Sequence, residues 1–66
     1  MNIKLNGKDY STENTLTIEG LLKLLSLTTD GIAVEVNKEI VPRRRHALTV
    51  IREDDAVEIV RMSGGG

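Results

Sequence analysis

Apolar and polar residues alternate in three short segments of this chain, with the period of strands that bury one face. In the first segment, Met1, Ile3 and Leu5 alternate with polar residues. The second segment covers residues 32–36 and the third covers residues 57–61. The pattern therefore predicts three strands, the last of them directly before the end of the sequence.

A turn signal follows the first strand and predicts a hairpin with a second strand that begins at Lys8. The Asn-Gly pair at positions 6–7 is the strongest short hairpin signal, because both central residues of a type I′ turn need positive φ. A two-residue loop here sets Leu5 opposite Lys8 and Ile3 opposite Tyr10. This register places Tyr10 on the core side of the sheet, beside Ile3.

A brief fourth strand is predicted between two polar connections. Residues 37–38 form a short turn, and Glu39–Val41 is a strand that Pro42 ends, because proline cannot donate to a ladder. Residues 48–51 are apolar and β-prone, and residues 53–55 form an acidic turn before the last strand.

One amphipathic helix follows the hairpin. Thr17 is its predicted N-cap, and the helix is expected to end near Ser26. Its apolar residues recur at i, i+3, i+4 and i+7, which gives one buried stripe. The stripe consists of Ile18, Leu21, Leu22 and Leu25.

The resulting order is a hairpin, a helix and further strands, which predicts an α+β fold. A helix that crosses one face of a small mixed sheet covers its apolar side, and the right-handed crossover rule allows a later strand to lie parallel to the first. This is the β-grasp, or ubiquitin-like, arrangement. We expect one domain over residues 1–62 and a flexible glycine tail over residues 63–66.

Composition narrows the class of function. The 66 residues include no cysteine and one histidine, which argues against disulfides, zinc–thiolate sites and multi-histidine metal sites. A net charge of −1 argues against non-specific nucleic-acid binding. Without a membrane-spanning segment or a signal-peptide pattern, we expect a cytoplasmic protein and no membrane partner. A chain this small has little volume for a pocket, which favours a carrier or binding module over an enzyme.

The last four residues, Ser63, Gly64, Gly65 and Gly66, are the strongest candidate for chemistry. Glycine allows another backbone to approach closely, so this tail suits a narrow tunnel in a partner protein. Such a tunnel would receive the tail residues and present the carboxylate of Gly66 for reaction.

Three segments make the chain resemble the ThiS sulfur carriers of thiamine biosynthesis. Residues 17–22 resemble the capped Leu-Leu helix of that family, and residues 37–42 resemble its turn and short strand ending in Val-Pro. Residues 53–57 resemble its acidic turn, although Asp54 stands where the family often has glycine. The resemblance covers the whole chain and ends at the terminal glycines.

This resemblance implies a reaction cycle at Gly66. A ThiF-like adenylyltransferase would use ATP to adenylate the Gly66 carboxylate, and a sulfur donor system such as a cysteine desulfurase would convert it to a thiocarboxylate. A ThiG-like thiazole synthase would then consume the sulfur. The carrier itself would bind no cofactor or metal, would not be an enzyme, and would be a monomer when free.

Several residues outside the tail are candidates for partner docking. Val60 and Met62 fall on the outer face of the last strand if its side chains alternate strictly. The basic run is either a solvated loop or a contact for an acidic partner surface, and His46 beside it is expected to be an exposed loop residue. The basic run consists of Arg43, Arg44 and Arg45.

Three alternative functions remain open at this point. The small, MoaD-like subunit of molybdopterin synthase resembles the same fold and also delivers sulfur from a terminal glycine, but those proteins often carry prolines before the last glycines, whereas residues 61–63 contain none. A ubiquitin-like protein modifier would form an amide on a lysine. A plain interaction domain with an inert tail is the third alternative.

Overall fold

The structure of the protein is a computed structural model that describes residues 1–62. Within that range the chain forms five strands and one α-helix, with a single 3₁₀ turn between β4 and β5. The elements are β1 Asn2–Leu5, β2 Lys8–Ser11, α1 Ile18–Leu24, β3 Ile32–Val36, β4 Glu39–Val41, the 3₁₀ turn Arg43–Arg45 and β5 Ala56–Arg61. This order of hairpin, helix and further strands is the predicted one.

The five strands form one mixed sheet in the order β2-β1-β5-β3-β4. The two outer pairs are antiparallel hairpins. β5 lies between them, parallel to β1 and antiparallel to β3. The last strand is therefore the one that lies parallel to the first, and the predicted β-grasp arrangement is confirmed.

The first hairpin has the predicted register. Ile3 pairs with Tyr10 and Leu5 pairs with Lys8. The two loop residues both have positive φ, 50° at Asn6 and 82° at Gly7, as a two-residue loop of this kind requires. Tyr10 is partly buried against the core, which agrees with its predicted position beside Ile3.

Thr17 caps α1 as predicted. Its side-chain oxygen accepts a hydrogen bond of 3.1 Å from the backbone N–H of Gly20, one of the donors that the first helical turn leaves without a partner. The helix ends at Leu24, slightly before the predicted end near Ser26. Ser26 has a φ of 60°, and this left-handed conformation stops the helix.

The apolar stripe of α1 packs on the sheet to form a single core. In the stripe, Leu25 is partly buried against this core and the other three members are buried. Burying one such aliphatic side chain contributes about 1.5–3 kcal/mol, and the core is entirely aliphatic. Its buried members are Ile3, Ile18, Leu21, Leu22, Ile32, Val34, Ile51 and Val57.

The apolar residues 48–51 form no strand. Val50 makes one isolated bridge with Thr17, while the N–H groups of Leu48 and Thr49 donate to the carbonyl of Arg45. These two bonds continue the turn that begins at the 3₁₀ segment, so the local backbone cannot extend.

No helix within residues 1–62 has the length and apolar character needed to cross a bilayer.

The cap at Thr17 yields a test of the helix. We expect Thr17→Ala to lower the free energy of unfolding by about 1 kcal/mol, because the N–H of Gly20 loses its acceptor. Urea denaturation of both proteins gives this difference. The matched control is Thr28→Ala, which removes the same atoms from an exposed position. Equal losses in the two variants would mean that the cap does not stabilise α1.

Candidate functional site at the end of the last strand

β5 ends at Arg61, and its hydrogen bonds to β3 continue as far as Met62, the last residue that the structure describes. The N–H of Met62 donates to the carbonyl of Gly31 at 2.8 Å, and the N–H of Asn37 donates to the carbonyl of Ala56 at 2.7 Å. In an antiparallel ladder, hydrogen-bonded and non-bonded pairs alternate. The even-numbered residues of β5 therefore bond to β3, which holds the strand extended as far as Met62.

The odd-numbered residues of β5 bond to the first hairpin on the opposite flank. The carbonyl of Val57 accepts from the N–H of Asn6 at 2.9 Å. The N–H of Ile59 donates to the side-chain oxygen Oδ1 of Asn6 at 2.8 Å. Asn6 thus serves both as a turn residue and as a clamp on β5. Its amide side chain replaces the next residue that β1 would need in order to continue the ladder.

Side chains along β5 alternate as predicted. Val57 is fully buried and Ile59 is partly buried, whereas Val60 is 51% and Met62 is 58% exposed. Exposed aliphatic side chains that adjoin one another can form a docking surface. The docking role assigned to Val60 and Met62 stays a prediction.

Ile40 is an exposed apolar residue that the pattern of the last strand does not indicate, and it adds to Val60 and Met62. It is 70% exposed and pairs with Glu35 across β3 and β4. The two-residue turn at residues 37–38 sets this register. The register therefore predicts from the sequence that Ile40 lies on the same face of the sheet as Glu35. We refer to Ile40, Val60 and Met62 as the outer patch. Ile40 and Met62 line one groove of about 400 Å³.

The arginine run is exposed throughout, but its members differ in position. Arg43 lines the same groove as Met62. Its guanidinium Nη2 lies 2.6 Å from Oδ1 of Asp30, and surface pairs of this kind contribute little to stability. Arg45 lines a different groove, with Val36 and others. The structure therefore brings one of the three arginines to the end of β5.

His46 is buried, and its prediction as an exposed loop residue is wrong. It is 3% exposed, and its Nε2 lies 3.1 Å from the carbonyl of Val41. Its own carbonyl accepts the N–H of Glu19 at 2.9 Å. The 3₁₀ turn folds the chain back toward α1, so His46 joins that turn to the helix. Polarity of the neighbouring residues alone could not reveal this.

The acidic turn at residues 53–55 acts as a structural connection. Oε1 of Glu53 accepts from the N–H of Asn2. Asp55 accepts from the N–H of Arg52 with one carboxylate oxygen and from the side-chain amide of Asn37 with the other. Asp54 has a φ of 68°, the conformation for which glycine is favoured. Residues 1–62 contain no group of three or more acidic or histidine side chains placed to hold a metal ion.

The proposed reactive residues lie outside the described part of the chain. These are Ser63, Gly64, Gly65 and Gly66. The role of the first three as a tail that enters a tunnel of a partner protein, and that of Gly66 as the sulfur-carrying residue, stay predictions. What residues 1–62 do establish is the setting before them: an extended strand, an exposed apolar patch and one nearby arginine.

Comparisons with known proteins show which family this chain resembles in sequence and in fold. The model of the ThiS family matches residues 3–66. The sulfur carrier protein ThiS of Bacillus subtilis is 38% identical over 65 residues, which cover 97% of this chain and 98% of that protein. A crystal structure of the thiamine biosynthesis protein ThiS of Geobacter metallireducens superposes with a TM-score of 0.87 and 32% identity, over 100% of both chains.

Longer relatives also contain a segment like this one. The thiazole synthase of Magnetococcus marinus is 42% identical over 66 residues. All of this chain is matched, but it spans only 20% of the length of that relative. The thiazole synthase of Paramagnetospirillum magneticum is 36% identical over 66 residues, and this chain again spans 20% of the length of that relative.

The clamp at Asn6 can be tested by hydrogen exchange. Asn6→Gly keeps a residue that accepts positive φ but removes the Oδ1 acceptor, so we expect the amide of Ile59 to exchange roughly 2- to 10-fold faster. The amide of Val60, which bonds to β3, is the internal reference. Asn6→Asp retains an acceptor and should preserve protection. An unchanged rate at Ile59 in Asn6→Gly would exclude the clamp.

Proposed function

Because this chain belongs to the ThiS family, we propose that it is a sulfur carrier for thiamine biosynthesis whose Gly66 carboxylate bears the sulfur. The observation that carries the proposal is the family match over residues 3–66, which includes the glycine tail. The shape of the domain supports it. β5 is held extended up to Met62, the residue that precedes that tail in the sequence.

The chemistry at Gly66 proceeds in two steps. A carboxylate is a poor electrophile, since its negative charge repels nucleophiles and neither oxygen leaves easily. An oxygen of Gly66 therefore attacks the α-phosphorus of ATP, which forms an acyl-adenylate and releases pyrophosphate. In the second step, the outer sulfur of a persulfide on the donor system attacks the carbonyl carbon, the C–O bond to the adenylate breaks and AMP departs. A thiol then cleaves the S–S bond of the resulting acyl disulfide and is itself oxidised to a disulfide. The product is a thiocarboxylate at Gly66.

This domain presents Gly66 to the partner enzymes, and those enzymes catalyse both steps. The adenylating partner is a ThiF-like enzyme, and the sulfur comes from a donor system such as a cysteine desulfurase. The tail Ser63–Gly66 carries at most one small side chain, so it can enter a narrow tunnel. Both partners act in the cytoplasm under this proposal.

The acceptor of the sulfur is a ThiG-like thiazole synthase. Two relatives named thiazole synthase carry within one chain a segment that resembles this entire sequence. Joining a carrier to the enzyme that it serves raises their effective concentration. This arrangement supports a thiazole synthase as the partner of the separate domain.

Intact-mass spectrometry tests the carrier function. The protein is incubated with ATP, a ThiF-like activating enzyme and a sulfur source. We expect a mass gain corresponding to the replacement of one oxygen by sulfur, and its loss when Gly66 is removed. An unchanged mass, with the activating enzyme shown to work on a known carrier, would contradict the proposal and favour a protein modifier or an inert interaction domain.

Gly66→Ala refines the same experiment. We expect this variant to keep the fold and to slow activation severely, because a Cβ next to the reacting carbonyl would meet the tunnel wall. An amide spectrum of residues 1–62 is the control for folding. Activation at the normal rate would show that no tunnel constrains the last residue.

Docking of the activating enzyme on the outer patch is tested with Val60. We expect Val60→Asp to weaken binding of the ThiF-like enzyme roughly tenfold or more, as truncation of a buried interface residue does. Isothermal titration calorimetry gives the Kd. Val50→Asp is the matched control, since Val50 is similarly exposed at 43%. Equal effects of the two variants would remove the outer patch from the interface.

A further inference from the structure

One flank of β5 lacks a partner strand beyond its second residue. β1 pairs with β5 only through Lys4 with Ala56 and Leu5 with Val57. β5 itself continues to Arg61, and its opposite flank pairs with β3 over that whole length. The first hairpin turns away at Asn6, so the β1 side of the last residues of β5 is an open sheet edge.

The register identifies the backbone groups that this edge presents. Odd-numbered residues of β5 face the β1 side, and the N–H of Ile59 already donates to Asn6 Oδ1. Three further backbone groups face this side beyond Asn6. They are the carbonyl of Ile59, the N–H of Arg61 and the carbonyl of Arg61. No other backbone or side-chain group of residues 1–62 hydrogen-bonds to these three. We refer to them as the open edge.

Space beside the open edge is available. Asn6, Gly7 and Lys8 form the end of the hairpin and are all exposed. A Cβ built on Gly7 meets no atom within 4 Å. Arg61 is exposed as well. The end of the hairpin and the end of β5 are therefore both open to solvent on this side.

The length of the tail determines what comes close to this edge. Four residues follow Met62, and a fully extended chain spans at most about 3.6 Å per residue. The carboxylate of Gly66 thus lies within about 14 Å of Met62. An enzyme that encloses this carboxylate in a tunnel must also contact the end of β5. This step rests on the function proposed above.

We propose that an extended segment of the adenylating enzyme pairs with the open edge and adds a strand to the sheet beside β5. The N–H of Arg61 donates to a main-chain carbonyl of the enzyme, and the carbonyl of Ile59 accepts a main-chain N–H from it. Strand addition satisfies groups that are already aligned by a ladder on the other flank. It fixes the direction of the chain at Met62, where the tail begins.

Charge favours an enzyme segment over a second copy of this chain. Two copies paired antiparallel about Arg61 would set two arginines directly opposite each other, and like charges in that position destabilise a pair. A charged side chain on an exposed edge is a common device against self-association. An acidic or neutral enzyme segment meets no such penalty.

Amide hydrogen exchange tests the pairing. In the free protein, the amide of Arg61 should exchange at close to the unprotected rate, while the amide of Val60 is protected by its bond to β3. Saturation with the ThiF-like enzyme should slow exchange at Arg61 at least tenfold. An Arg61 amide that remains unprotected in the saturated complex would overturn the proposal. Protection in the free protein that rises with its concentration would instead indicate self-pairing and would also overturn it.

A pair of variants separates the backbone from the side chain. Arg61→Pro removes the N–H but leaves the β3 ladder intact, because Arg61 and Ile32 form a non-bonded pair and proline is tolerated at such edge positions. Arg61→Ala removes only the guanidinium. We expect Arg61→Pro to raise the Kd for the enzyme roughly tenfold above that of Arg61→Ala. Equal Kd values would contradict strand addition.

The two proposals can fail separately. If the wild-type protein gains the thiocarboxylate mass while Arg61 stays unprotected in the complex, the carrier function stands and strand addition is wrong. If no mass gain occurs, the carrier function is wrong whatever the exchange data show. Amide spectra of both Arg61 variants, compared with the wild type, confirm that each has folded.

Discussion

The parallel ladder between β1 and β5 is the constraint on which the rest of the structure depends. The two hairpins of this protein share no direct pairing, and β5 is the strand that joins them into one sheet. That junction also creates the surface on which α1 packs, since Ile3 and Val34 come from different hairpins and are buried together with Val57. The ladder is short, with two residue pairs, so the Asn6 clamp is a substantial part of it.

Most of the fold could be predicted from local patterns because local physics determines it. Alternation identified β1 and β3, and positive-φ residues at positions 6–7 fixed the register of the first hairpin. The helix was predicted in the same way, from its N-cap residue Thr17 and from the period of its apolar residues. Residues 48–51 show where this reasoning stops. The N–H groups of Leu48 and Thr49 bond to the nearby carbonyl of Arg45, so a local turn forms where the composition favours a strand, and β-propensity depends on context in this way.

The candidate site was predicted in part. The exposure of Val60 and Met62 followed from strand period, whereas Ile40 required the register of the second hairpin as well. The burial of His46 depends on the path of the 3₁₀ turn, which brings its ring to the carbonyl of Val41 and its own carbonyl to the N–H of Glu19, and no periodicity encodes that path. The open edge is likewise invisible in the sequence, because it arises from a difference in length between two strands that are far apart in the chain.

The central place of β5 in the sheet has a consequence for synthesis on the ribosome. Among the elements of residues 1–62, β5 comes last, so the sheet cannot close while the residues of β5 remain in the exit tunnel. Until then the nascent chain holds two hairpins and a helix with no ladder between them, and long-range pairing of this kind is slow to form. Folding is thus completed only when the last strand emerges. A chain interrupted before β5 would lack the strand that joins the two hairpins, and proteases would encounter it without tertiary structure.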